Sequence, residues 1–230
     1  GTDTPGGENC DTGIAELTAL AEAGITGLSM TEIWDKARVH GVRPRALAAL
    51  DVALWDRFGK LCGQPLWRIF GLPPTSVPTS ITVGINPPEV IREQIPEMLA
   101  RTGCPFLKVK LGNPLGLDAD KASFIAVLEA TRSFEVGLRV DANGGWSLAQ
   151  AKEMLPWLAQ HQVTYVEQPL PKGAEDQLPE LFRHRPLPIF VDESCDVAAD
   201  VPGLADRVDG VNLKLMKCGG LTEAIRLVAT

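Results

Sequence analysis

Histidine is scarce and cysteine is scattered in this chain of 230 residues, which holds three histidines and five cysteines. None of His40, His161 and His184 closes a strand-like run, and Cys10, Cys62, Cys104, Cys195 and Cys218 contain no C-x-x-C spacing. An odd, dispersed set of thiols argues against a disulfide framework or a zinc site, and reads as reduced cysteines in a cytoplasmic protein. No apolar run approaches membrane-spanning length, and no signal-peptide pattern is visible. A basic run is missing too. Lysine and arginine number 22 against 29 acids, for a net charge of -7, which argues against nucleic acid or an anionic membrane as a partner. The glycines of Asp141-Ala-Asn-Gly-Gly lack the spacing of a phosphate-binding loop, and ITVGINPPEV carries no glycine-rich turn, so no nucleotide is assigned.

What the chain does have is apolar residues, 45% of the total with 22% charged, enough for a sizeable globular core. Its organisation changes near residue 73. Before that point the signals are helical. TGIAELTALAEAG is amphipathic and ends at Gly24; ALAALDVALWDRFGKLCG places Leu47, Leu50, Leu54, Trp55, Phe58 and Leu61 at helical spacing, with Gly63 as a stop. Trp34, Trp55, Trp67 and Trp157 lie on helical patterns and read as core. The proline-rich stretch Gly71–Ser80 reads as a linker, dividing a helical region (1–72) from a second region (73–230). The opening GTDTPGGENCDTG has the look of a loop interior.

After the linker, short apolar runs alternate with helical segments: SITVGI, PFLKVKL, FEVGLRVDAN, VTYVEQP, LPIFVDES and VDGVNLKLMK. Such alternation indicates βα units and a parallel sheet. In PFLKVKL, strand periodicity turns Lys108 and Lys110 to one face and Leu107, Val109 and Leu111 to the other. Taken alone, that pair would read as lysines in water. The other strands offer partners, because polar residues stand at their ends: Asp141 with Asn143, then Glu167, Asp192 and Lys214. From Asp141 the steps are 26, 25 and 22 residues, about one βα unit each. Equal steps bring strand ends side by side at the carboxyl-terminal edge of the sheet, where βα folds build their sites.

A single acid after a strand is readily a helix cap. Three acids on successive strands with lysines before and after are harder to explain that way. Three carboxylates without histidine or cysteine form a hard oxygen site suited to magnesium, with manganese the alternative ion. A lysine beside cations has its pKa lowered and becomes available as a base. A base on each side of a metal-bound carboxylate suits removal and return of the proton alpha to it, through an enediolate, with inversion of the stereocentre. Trp146, just past Asp141, lies near this site, with packing its plainer role.

LKVKLG, RVDANGGW, YVEQPL, IFVDES and VNLKLMKCGGLTEA, in that order, resemble the enolase superfamily in its muconate-lactonising branch. AALDVALWDRFGKLCGQPLWRIFG is similar to the capping-domain helix that precedes the barrel in that family, so the resemblance runs from about Val42 onward. It implies a TIM-type (β/α) barrel, incomplete here with six of eight strands, preceded by part of a helical capping domain. It further implies Asp141, Glu167 and Asp192 as magnesium ligands, and Lys110 and Lys214 as acid/bases on opposite faces of the substrate. Lys108 would depress the pKa of Lys110 or hold the substrate carboxylate, and Asn143 would support the metal site. Lys217 is the poorer base, since strand alternation turns it from the face of Asn212, Lys214 and Met216.

KLMKCGGLTEA and VEQPLPKGAEDQLPEL look most like the dipeptide epimerases acting on L-Ala-D/L-Glu, an isomerase activity. Muconate cycloisomerases, o-succinylbenzoate synthases and N-acylamino acid racemases share the same metal and lysine positions, and a non-catalytic relative is the reading from another class. The epimerases' Asp-x-Asp pair after the eighth strand falls outside this sequence. The expectation is therefore an internal piece of a longer enzyme, inactive by itself. The partner expected is a small-molecule carboxylate such as a dipeptide; a homo-oligomer is compatible with a composition that is silent on the point.

Overall fold

A computed structural model of the chain describes residues 8–74 and 77–230. Gly1–Gly7 and Thr75–Ser76 lie outside the described residues, and with them most of the opening loop and the middle of the linker. Of the opening stretch, Glu8 and Asn9 lie outside regular structure and Cys10–Gly13 already belong to a helix. Asn9 accepts the Thr12 N–H at 2.9 Å while the Thr12 hydroxyl accepts the Asn9 N–H at 3.0 Å, a reciprocal cap that starts α1 (Cys10–Glu22).

The same device, built from Ser29 and Glu32, opens α2 (Met30–Val39), the helix that carries Trp34. Pro44 takes the first position of α3 (Pro44–Cys62), where its missing N–H has no helical partner to lose, and Gly63 closes it at φ 61°. A single turn, α4 (Leu66–Ile69), follows. Leu20, Trp34, Ala37, Val42 and Leu47 form a buried cluster flanked by Leu17, Ile25, Ala46 and Leu50. That cluster involves only the first half of α3, so Phe58 and Leu61 are exposed and Trp67 is half-buried, unlike the core stripe expected.

The next elements alternate: β1 (Ile81–Val83), α5 (Pro88–Thr102), β2 (Phe106–Lys110), α6 (Leu117–Ala130), β3 (Gly137–Asp141), α7 (Leu148–Gln160), β4 (Val166–Glu167), α8 (Leu178–Arg183), β5 (Ile189–Val191), α9 (Val201–Leu204) and β6 (Gly210–Val211). Two short helices end the chain, α10 (Leu215–Cys218) and α11 (Leu221–Ala229). The six strands form one parallel sheet in chain order, the α/β architecture expected. Parallel neighbours need a crossover, and the intervening helices supply it. One sheet face is apolar: Leu107, Val109, Leu138, Val140, Val166, Ile189 and Val191 are buried, as are Ile91, Ile95, Phe124, Met154 and Leu158 of the crossover helices.

Two compact units emerge. Among the described residues the first comprises 8–74, 196–203 and 213–230, and the second 77–195 and 204–212. All five cysteines are free thiols. His161 packs its ring on Trp157 at 4.6 Å, a helix-packing role. Among the described residues no helix is long and apolar enough to cross a membrane.

Candidate active site

Register builds the site. Lys110 pairs with Asp141 across β2 and β3, and Asp141 with Glu167 across β3 and β4, so three ionisable side chains stand level on one face. The Lys110 Nζ donates to Asp141 Oδ2 at 2.6 Å; the Lys108 Nζ, two residues back on the same face, reaches Asp141 Oδ2 at 2.8 Å and Glu167 Oε1 at 2.7 Å. The lysines of the K-x-K stretch therefore face carboxylates, with Leu107 and Val109 buried on the opposite side. Just beyond them Gly112, at φ 83°, lies against the β3 backbone. A Cβ there would sit 2.2 Å from the Ala142 carbonyl oxygen, so only glycine allows this approach.

Asp141 and Glu167 are 0% and 1% exposed, which makes their electrostatics strong. Burial pushes the Asp141 carboxyl up, but the hydrogen bonds from Lys108 and Lys110 outweigh it and hold the group below the usual carboxylate range. Glu167 goes the other way. Burial raises it, and the neighbouring Asp141 charge adds to this, against hydrogen bonds from Lys108 and Asn212. Burial lowers Lys108, yet its bonds to Asp141 and Glu167 prevail and keep the ammonium above the usual lysine range. The charges nearest the Lys108 ammonium are these two anions, which favour its charged form.

Asp192 is fully buried one residue past β5, rather than within the strand. Its backbone N–H donates to Gln168 Oε1 at 2.8 Å, and the Gln168 amide in turn donates to Leu170 O and Ser194 Oγ. Gln168, at φ 41° directly after Glu167, thereby ties the end of β5 to the end of β4. Asn143 meets Asp141 through its main chain, its N–H donating to Asp141 Oδ1 at 2.9 Å, and the residue is exposed. Asn212 donates to Glu167 Oε1 at 2.7 Å. Sequence reasoning sets Asn212 on the site face without a role and passes over Gln168; a polar residue two positions before a site lysine is the available signal.

Lys214 belongs to the other unit, where it is the residue preceding α10. Strand β6 stops at Val211, so the alternation argument against Lys217 does not hold: Lys217 lies in a helical turn, 3.5 Å from Asp196 Oδ1. The structure brings Lys108, Lys110, Asp141 and Glu167 into one cluster.

Three buried carboxylates at neighbouring strand ends have the donor chemistry of a hard divalent cation site. Among the described residues no three acidic, histidine or cysteine side chains are grouped so as to hold a metal ion, and the Lys108 ammonium bridges Asp141 and Glu167. The residues fit magnesium by type and charge.

The family described as "Enolase C-terminal domain-like" matches residues 90–230. The hydrophobic dipeptide epimerase of Roseobacter litoralis is 54% identical over 233 residues, covering 100% of this chain and 67% of that protein. One from a Flavobacteria bacterium is 50% identical, covering 95% of this chain and 64% of its relative. A crystal structure of the dipeptide epimerase from Enterococcus faecalis, complexed with Mg and the dipeptide L-Leu-L-Tyr, superposes with a TM-score of 0.87 at 32% identity, over 96% of this chain and 63% of that one. The chain thus spans about two thirds of the length of such relatives, 67% and 64% for the two epimerases above. With a matched region exceeding half its length, the chain belongs to the enolase C-terminal domain-like family.

Proposed function

We propose that this chain is part of an epimerase that inverts the carbon alpha to the carboxylate of a hydrophobic dipeptide, with residues 73–230 carrying the chemistry and 1–72 belonging to a cap. The observation that supports it best is the cluster in which two lysines of β2 meet the buried carboxylates of β3 and β4. The names of the relatives, hydrophobic dipeptide epimerases at 54% and 50% identity, support the substrate class.

In this reading Asp141, Glu167 and Asp192 hold magnesium, which when bound supplies positive charge to the substrate carboxylate. Lys108 steers that carboxylate, and Asn143 and Asn212 hold Asp141 and Glu167 in place. Lys110 Nζ accepts the alpha proton as the C–H electron pair moves into the carboxylate. Lys214 Nζ gives a proton to the opposite face of the carbon, and the configuration inverts. In the reverse direction the two amines exchange roles.

The test is Lys110→Ala and Lys214→Ala in the full-length enzyme of which this chain is a part, with L-Leu-L-Tyr as probe and magnesium present. Each substitution is expected to reduce inversion by about 10²–10⁴-fold, with magnesium affinity retained in a calorimetric titration. Near-normal epimerisation in both variants would rule out the two-lysine assignment. Inversion of an N-acylated amino acid in place of every dipeptide offered would move the chain to the racemase branch.

A further inference from the structure

Two fully enclosed aspartates take no part in that chemistry. Asp51, on α3, and Asp120, on α6, are each 1% exposed, and neither makes an ion pair among the described residues. A buried carboxylate without a cation is costly unless neutral donors satisfy both oxygens. Both aspartates are satisfied in the same way, by the turn that follows a lysine of the proposed pair.

Asp120 Oδ2 accepts the Gly112 N–H at 3.1 Å and the Trp146 indole N–H at 2.8 Å, and its Oδ1 accepts the Asn113 N–H at 2.9 Å. Gly112 is two residues past Lys110, and Trp146 is five past Asp141. One carboxylate thus fixes the exits of both β2 and β3, behind the lysine and the acid it bonds.

Asp51 does the equivalent for Lys214. Helix α11 begins after Gly220, which has no side chain to cap it, and Asp51 supplies the missing acceptors from α3. Its Oδ2 accepts the Thr222 N–H at 3.0 Å and its Oδ1 the Thr222 hydroxyl at 2.5 Å. The fit is close: a Cβ on Gly220, at φ 113°, would lie 2.4 Å from Asp51 Oδ2. Trp55 donates to Thr222 Oγ1 at 3.0 Å, and Trp34 to the Gly219 carbonyl at 2.9 Å. Little slack separates this latch from the lysine. The Lys214 carbonyl accepts from Lys217 and Cys218, and the Leu215 carbonyl from Gly219 and Gly220.

We propose that Asp120 and Asp51 are positioning residues, one for each lysine, with Asp120 setting the turn behind Lys110 and Asp51 the turn behind Lys214. The inference rests on the two-lysine reading above. In a two-base inversion each epimer loses its proton to a different lysine. Disturbing one turn therefore slows deprotonation of one epimer more than the other, an asymmetry that general destabilisation does not produce.

The experiment uses Asp51→Asn and Asp120→Asn in the full-length enzyme of which this chain is a part, with magnesium, in heavy water, with L-Leu-L-Tyr and L-Leu-D-Tyr as separate probes. Deuterium entry at the carbon alpha to the carboxylate, with configuration retained, is expected to fall about 10–100-fold for one epimer in one variant and for the other epimer in the other. Equal losses for both epimers, or no loss, would overturn the assignment to individual lysines. Amide hydrogen exchange is measured in parallel without substrate. Asp120→Asn is expected to lose protection around 111–113 and Asp51→Asn around 215–223, each leaving the other segment protected as a control for folding. Unchanged protection overturns the inference even where the unsubstituted protein exchanges both probes. Lost protection with no exchange by the unsubstituted protein instead overturns the two-lysine reading and, with it, the lysine-specific assignment. Should Asp51→Asn fail to fold, Trp55→Phe removes the indole bond to Thr222 while keeping an aromatic ring against Phe58 and Phe70, and the same asymmetry is expected at smaller amplitude.

Discussion

Lys110 lies inside a five-residue strand, level with Asp141 on the next strand and bonded to it. Lys214 follows a strand of two residues and opens a helical turn whose far end is held by Asp51, Trp55 and Trp34, residues 167 to 185 positions before those they bond. One lysine is placed by sheet register, the other by a turn and a long-range latch. Register fixes a side chain through neighbours that recur every second residue. A latch fixes it through a few hydrogen bonds, each of which carries more of the geometry. The two regions should therefore respond differently when a single partner is removed.

The largest expected effect is at Asp141. Its Oδ2 accepts from both Lys108 and Lys110, so Asp141→Ala leaves two partly buried ammonium groups without their shared anion. Breaking a buried pair from one side costs about 3–5 kcal/mol. Urea unfolding with a chelator present, so that bound metal contributes nothing, should show a loss of this size. A loss below about 1 kcal/mol, the scale of an exposed pair, would mean that the lysines relax into solvent and that register does not hold them.

The same difference in placement explains what could be read without coordinates. K-x-K, Asp141 and Glu167 were legible because strand alternation and parallel register are local rules, and the rules carried Lys108 and Lys110 to the face on which they lie. The fold class was legible for the same reason, from apolar runs alternating with amphipathic helices. Asp51 was invisible in this respect. Within ALAALDVALWDRFG it reads as the polar side of a helix, and only the tertiary structure brings it to Thr222. Gln168 was missed because its role depends on φ 41° and on bonds to another strand's end, Asp192 and Ser194.

Thr222→Val sharpens the comparison on the latch side with a middle-sized effect. The substitution keeps the shape and removes the hydroxyl that links Asp51 to the Trp55 indole, leaving the backbone bond to Asp51 in place. One oxygen of a buried carboxylate and one indole N–H lose their partner, for an expected cost of about 1–3 kcal/mol. Calorimetry would measure it. Combined with Asp51→Asn, the two losses should fall short of their sum, since both act on one network; strict additivity would separate Thr222 from the latch.

The smallest effect concerns the entrance to the short strand before Lys214. Asp209 stands just ahead of β6 and accepts the Arg185 Nε at 2.6 Å, the Arg185 terminal amine at 2.5 Å and the Ile189 N–H at 2.9 Å. Burial raises its carboxyl pKa, but the Arg185 bonds and the Ile189 N–H outweigh it and hold the group below the usual aspartate range. A carboxyl whose pKa is depressed by folding contributes stability that is complete above its unfolded value, about 3.9, and is lost as pH falls through the folded value. Because the pair is partly exposed, its worth is about 1 kcal/mol. Asp209→Asn should therefore be less stable than the unsubstituted protein by about that amount at pH 7, and the gap should narrow as the solution is acidified below the ordinary aspartate pKa. Urea midpoints at pH 7 and at pH 3 decide it: a gap that stays constant would show that the carboxylate charge contributes nothing, and that β6 is held at its entrance by hydrogen-bond shape alone.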